Sequence, residues 1–223
     1  MPNLDALWRH VGLATRWGCV AVLLALEAPL AVSAGQHIMQ HSAMEAVKST
    51  ITELIRVLDD DTLKRPEQAG KRRYEIEEII RQRVDYEEMA KRALGAPWAS
   101  LSQRERQEFV SLFVQLLRDT FAGRITEHHD EQVIYLGERR EDVYAEVNTR
   151  LKGRKIDTLI DFRLIERPAE WQVYDVVIDG ASIVSNYRSQ FTSIIREDSF
   201  AGLVEKMQQK AIAVKVFEKP TAP

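Results

Sequence analysis

The chain has a single cysteine, Cys19, among 223 residues, so no intramolecular disulfide can form and the fold must be held by packing. It has no excess charge of either sign: 31 Lys and Arg face 34 Asp and Glu, and basic runs are as short as Lys71-Arg72-Arg73. That balance argues against nucleic acid as the partner. Histidine is scarce too. His10, His37 and His41 are scattered, and the adjacent His128-His129 has only Asp130 and Glu131 beside it, which is a solvated loop rather than a metal site. The acid triplet Asp59-Asp60-Asp61 lacks the other ligands of a calcium loop and reads as a connector. No internal repeat, low-complexity segment or apolar run of ~20 residues occurs, and no nucleophile stands at a spacing that pairs it with a base. The expectation is a chain without metal or cofactor.

Residues 1–34 read as a secretory signal. Arg9, His10 and Arg16 precede the apolar run Cys19 to Leu26, and the small residues Ala31, Ser33 and Ala34 follow. Arg16-Trp17-Gly18 lacks the aliphatic residue of a lipoprotein cut site, so cleavage is expected after Ala34, with an uncleaved tether as the alternative. The exported part, residues 35–223, is then one domain in the periplasm. With 45% hydrophobic residues overall, the chain can bury a substantial core.

Periodicity divides that domain in two. Val47, Ile51, Leu54, Ile55 and Leu58 recur on one face of a first helix, and Ile76, Ile79 and Ile80 on a second. Asp85 with Glu88 opens a third helix, which Gly95 and Pro97 end. Ser102 with Glu105 opens a fourth, carrying Phe109, Leu112, Phe113, Leu116, Leu117 and Phe121. After Gly123 the pattern alternates, predicting strands over 132–136, 143–151, 156–165 and 170–178, with turns at Gly137, Gly153 and Pro168. Short spacings favour antiparallel hairpins. The last strand should place Tyr174, Val176 and Ile178 on one face and Trp171, Val173 and Val177 on the other. Gly180 allows a tight exit into a helix striped by Val184, Tyr187, Phe191 and Ile195, and a final helix spans 199–216. The fold class is α+β: helices packed on a four-stranded antiparallel sheet.

Two blocks carry a resemblance. Trp171, Tyr174-Asp175, Gly180, Ser182, Asn186-Tyr187-Arg188 and Phe191 form one. Asp85 to Ala90, Gly95, Trp98, Leu101-Ser102, Phe109, Phe113 and Leu117 form the other. Together they resemble the toluene-tolerance family, the MlaC-like periplasmic phospholipid carriers of the Mla lipid-transport system. Ala181 departs from the larger aliphatic residue usual there. The resemblance implies a cystatin/NTF2-like fold with an apolar cavity between its layers. It also implies a phospholipid ligand, or a hopanoid in a related branch. The partners it implies are an inner-membrane substrate-binding/ABC complex and an outer-membrane lipoprotein complex, in the service of outer-membrane lipid asymmetry.

On this reading the cavity is lined by Phe109, Phe113, Leu116, Val147, Phe162, Val176, Ile178, Tyr187 and Phe191. Each of these also fits an ordinary core. A competing reading makes Asp175, set in an apolar strand, the general base of an NTF2-like enzyme. Its alternative is a structural carboxylate paired with a basic side chain or a backbone group.

Overall fold

The computed structural model describes residues 42–126, 132–153, 156–210 and 212, the backbone alone over 122–126. The signal segment and all the histidines fall outside that range.

Caps define the helices. Helix α1 (Ala43–Asp59) opens on a reciprocal box in which the Glu45 amide donates to Ser42 Oγ at 3.1 Å and the Ser42 amide to Glu45 Oε2 at 3.1 Å. Helix α2 (Ala69–Arg83) follows a 3-10 turn that starts at Pro66, which has no N–H in need of an acceptor. The Asp85 carboxylate accepts from the Glu88 amide and starts α3 (Tyr86–Leu94), which stops where Gly95 adopts φ 73°. Ser102 and Glu105 cap α4 (Gln103–Thr126) in the same reciprocal way. No helix among the described residues is long and apolar enough to cross a membrane.

The sheet runs β1 (Gln132–Glu141), β2 (Tyr144–Lys152), β3 (Thr158–Glu166), β4 (Trp171–Ile178) and β5 (Ala181–Ser182), in that order and antiparallel throughout. The expected four strands are thus joined by a fifth of two residues. It exists because Asp179 (φ 47°) and Gly180 (φ 83°) form a two-residue turn with both angles positive, the geometry of a type I′ hairpin. Gly137 is not a turn. Strand β1 continues through it by a bulge at Leu136, and the chain reverses only at Asp142-Val143.

The strict alternation expected of β4 is also corrected. Arg163 pairs with Asp175 but Leu164 pairs with Val173, so Tyr174 is an extra residue in the strand. One inserted residue moves everything beyond it to the opposite face. Val173, Val176 and Ile178 therefore share the inner face with their partners Leu164, Phe162 and Ile160. Tyr174 and Asp175 both turn outward.

Helices cover the inner face. Ala43, Ala46 and Val47 of α1 pack on Ala145, Val147, Leu164, Trp171 and Val173. Val57, Leu63 and Ile76 join α1 to α2. The remaining helices, α5 (Ile183–Glu197) and α6 (Phe200–Gln208), close a third cluster with α3 and α4. Helix α6 is shorter than expected: Lys210 turns at φ 54°, and residues 213–223 lie outside the described range. The centre of this cluster is aromatic. Phe109, Phe113, Tyr187 and Phe191 are all 0% exposed, with ring centroids 5.2–6.2 Å apart and mostly edge-to-face.

Removing one of these rings leaves a void the neighbours cannot fill. Phe113→Ala should lower unfolding free energy by about 3–5 kcal/mol in urea denaturation, with the m-value unchanged. Burial pushes the Tyr187 phenol up to about 12 from an ordinary 10.0. The unfolded chain ionises this group first, so stability is intact below pH 10 and falls as pH rises toward 12, by up to roughly 2–3 kcal/mol. Tyr187→Phe should flatten that alkaline decline in urea titrations at stepped pH.

Candidate functional site

Between α1, α2 and α4 on one side and the inner sheet face on the other lies a cavity of about 900 Å³. Its walls follow from the periodicities already described. Helix α1 contributes Val47, Ile51, Leu54, Ile55 and Leu58, one turn apart. Helix α2 contributes Ile76 and Ile80, and α4 contributes Val114, Leu117 and Phe121. The floor is Val133, Leu151, Ile160, Phe162, Val173, Val176 and Ile178, drawn from four strands. Val176 and Ile178 reach it because of the Tyr174 bulge.

Polar groups sit at the two ends of this apolar trough. At one end Arg83, which is 18% exposed, donates from Nε to Thr50 Oγ1 at 2.8 Å. Its Nη1 donates to the Trp171 carbonyl at 2.8 Å and pairs with Glu170 at 3.0 Å. One guanidinium thus ties α1, α2 and β4 together. At the other end the lining carries Asp59, Arg73, Glu77, Arg118, Thr158 and Asp179. Asp59, Arg73, Arg118 and Asp179 are exposed, which marks this end as the opening.

Of the nine residues expected around the cavity, Phe162, Val176 and Ile178 are on its wall. Phe109, Phe113, Tyr187 and Phe191 instead form the aromatic centre between α4 and α5, Leu116 packs against that cluster, and Val147 is buried under α1. The physical reason is the stripe on α4. Phe109 and Phe113 point toward α5, whereas Val114, Leu117 and Phe121, rotated around the same helix, face the sheet. The expectation missed the contribution of α1 and α2. Their apolar stripes were visible, but a stripe facing a cavity has the same period as one facing a core.

Asp175 is 3% exposed and lies on the outer side of the sheet. Its Oδ2 accepts from Ser182 Oγ at 2.7 Å and from Arg163 Nη1 at 3.2 Å, while Oδ1 accepts from the Val184 amide at 3.0 Å. This is the structural alternative: the carboxylate fastens the start of α5 to β4. Other residues of the two sequence blocks do similar work. Arg188 Nε donates to the Arg92 carbonyl at 2.7 Å, binding α5 to the end of α3. Arg167 holds Asp85, and the Asp85 amide donates to the Val173 carbonyl at 2.9 Å. A second, polar concavity of about 460 Å³ lies on this outer side among Arg92, Tyr144, Arg163, Tyr174 and Asp175. Arg92 lies over the Tyr174 ring at 4.1 Å.

No group of three or more metal-binding side chains occurs among the described residues. Of the acid triplet, Asp60 is occupied locally, its Oδ1 accepting from the Thr62 amide and hydroxyl at 2.7 and 2.5 Å.

A family model described as MlaC protein matches residues 48–209. The chain is similar to the intermembrane phospholipid transport system binding protein MlaC of Haemophilus influenzae. The two are 22% identical over 142 residues, which is 61% of this chain and 66% of the length of that relative. A solved phospholipid-binding protein from Ralstonia solanacearum, in complex with a phospholipid, superposes with TM-score 0.68. The sequences are 23% identical, covering 76% of this chain and 96% of the other. At that identity the likeness establishes a shared fold.

Asp175→Asn keeps the shape but removes the charge opposite Arg163 and one acceptor at the start of α5. Unfolding free energy should fall by about 1–3 kcal/mol in urea denaturation, with the cavity unaffected.

Proposed function

The chain belongs to the MlaC protein family, and from that premise we propose that it is a soluble periplasmic lipid-binding protein. It shuttles phospholipid between inner- and outer-membrane partners of an ABC-type lipid-transport system. The observation that carries this reading is the apolar cavity of about 900 Å³ with one polar, exposed end. At roughly 30 Å³ per small heavy-atom group, it holds about 30 carbons, the size of two acyl chains. An apolar trough of that size left open to water carries a free-energy cost that a bound acyl chain would remove.

The energetics favour carriage over chemistry. Acyl burial contributes ~0.8 kcal/mol per CH₂, so two chains bring well over ~10 kcal/mol relative to water, and escape into solvent is slow. A bilayer offers nearly the same gain. Net transfer therefore depends on partners in each membrane that bind the loaded and empty forms differently. Asp175, the carboxylate that an enzyme would use as its base, is committed to α5 on the far side of the sheet. The signal-like residues 1–34 support export, with the mature chain beginning near Gly35.

Gently purified protein should yield phospholipid on organic extraction, quantified by mass spectrometry per mole of protein. Phe162→Glu places an unpaired carboxylate on the cavity floor and should abolish retention, while Asp175→Asn should leave it unchanged in protein that is folded by circular dichroism. Wild-type protein that carries no amphiphile, and acquires none from vesicles, would overturn the assignment. N-terminal sequencing of exported protein should begin near Gly35; retention of residues 1–34 in a membrane pellet would refute the export step.

A further inference from the structure

The open end of the cavity carries charge in a pattern that its apolar walls do not need. Helices α1 and α2 form an antiparallel pair, pinned at one end where Arg83 of α2 meets Thr50 of α1. Followed away from that pin, the cavity faces of the pair end in Asp59 on α1 and Arg73 on α2. Glu77 lies one turn further along α2, on the same face as Arg73. Across the opening, α4 contributes Arg118, whose Nη2 is 3.4 Å from Glu77 Oε2 with half its side chain exposed. Tyr86, at the start of α3, also lines the cavity, and its phenol lies in the field of Arg118 and Glu77. Asp179 completes the opening on the sheet side, where its Oδ1 is held by the Leu159 amide at 3.0 Å.

Glu77 and Arg118 thus satisfy one another, and Asp179 is engaged with backbone. Arg73 and Asp59 remain, one cation and one anion on neighbouring helices, and neither has an ion-pair partner among the described residues. A buried acyl chain emerging here brings its polar end to this spot. An uncharged hydroxyl or ring system would leave both charges solvated and gain little from them. A phosphodiester that also bears an ammonium group would place a negative charge by Arg73 and a positive charge by Asp59. Arg118, whose guanidinium has donors beyond the one facing Glu77, would stand within the same rim as a further donor to phosphate oxygens.

We propose that Arg73 and Asp59, supported by Arg118, form a headgroup site that selects zwitterionic phospholipids over uncharged lipids of equal apolar volume. This rests on the lipid-carrier reading above and narrows it. It also bears on the hopanoid alternative, because a polyterpenoid alcohol fills the trough without using the rim. Arg73 is exposed, so its contribution is modest and sensitive to salt.

The test uses delipidated full-length mature protein and three probes with identical acyl chains: phosphatidylethanolamine, phosphatidylglycerol and diacylglycerol. Each is titrated from detergent by fluorescence competition at low and high salt. The wild type should prefer phosphatidylethanolamine to diacylglycerol by roughly tenfold at low salt, with the margin shrinking at high salt. Arg73→Gln should lose most of that margin for both phospholipids while keeping diacylglycerol affinity. Asp59→Asn should erase the preference for phosphatidylethanolamine over phosphatidylglycerol alone. Equal binding of all three probes by wild type, or equal loss of all three in Arg73→Gln, would overturn the headgroup site while leaving the carrier reading intact. Failure of wild type to bind any of the three would overturn the carrier reading itself. Circular dichroism and thermal melts on each variant, both substitutions being exposed, show whether a loss comes from unfolding.

Discussion

One extra residue in β4 sets the geometry on which the rest depends. A strand of this length must do two incompatible things: present an apolar surface to the helices, and reach outward with a carboxylate that holds α5. Regular alternation permits one side chain in two to face each way. By inserting Tyr174, the strand turns two successive residues outward and then returns Val176 and Ile178 to the floor of the cavity. Asp175 is thereby placed beside Ser182, Val184 and Arg163, and α5 starts where its Tyr187 and Phe191 can enter the aromatic cluster.

The cavity and the tight core are complementary consequences of that placement. The helices α3 to α6 pack on one another around these rings, and Val176 and Ile178 of the sheet pack against the same cluster. The pair α1 and α2 meets the sheet closely at Val47, Val147 and Trp171, then spans the trough with its remaining apolar residues. Arg83 holds the near end of the span. The space between these helices and the sheet is therefore gathered into one trough, as a ligand-sized site requires.

Much of this was legible in the sequence, and the limits have identifiable causes. Helix starts could be read because a cap is a local hydrogen-bond pattern, as Ser102-Glu105 and Asp85-Glu88 show. The family resemblance rested on blocks whose residues mostly fasten elements together: Arg188 to the end of α3, Asp175 to the start of α5, Phe109 and Phe113 to Tyr187 and Phe191. Such residues mark a fold strongly and a ligand weakly. The walls formed by α1 and α2 were visible as stripes, but whether a stripe meets a neighbour or an opening depends on tertiary distance. The bulges at Leu136 and Tyr174 were invisible for a related reason: each is favoured by what lies across the strand, and neither has a local signature like that of Asp179-Gly180.

The outermost strand has a consequence of its own. Among the described strands β1 has a neighbour on one side only, and ten residues of unpaired backbone would invite another chain to add itself. The Leu136 bulge interrupts the register that such an intruder needs, and the charged run Glu138 to Glu141 follows it, with Glu138 held by the Met44 amide and Arg140 by Glu166. Whenever the trough stands empty, its apolar lining makes the molecule more adhesive. An edge hostile to self-pairing keeps that stickiness from nucleating aggregates of a chain that no internal disulfide can hold closed.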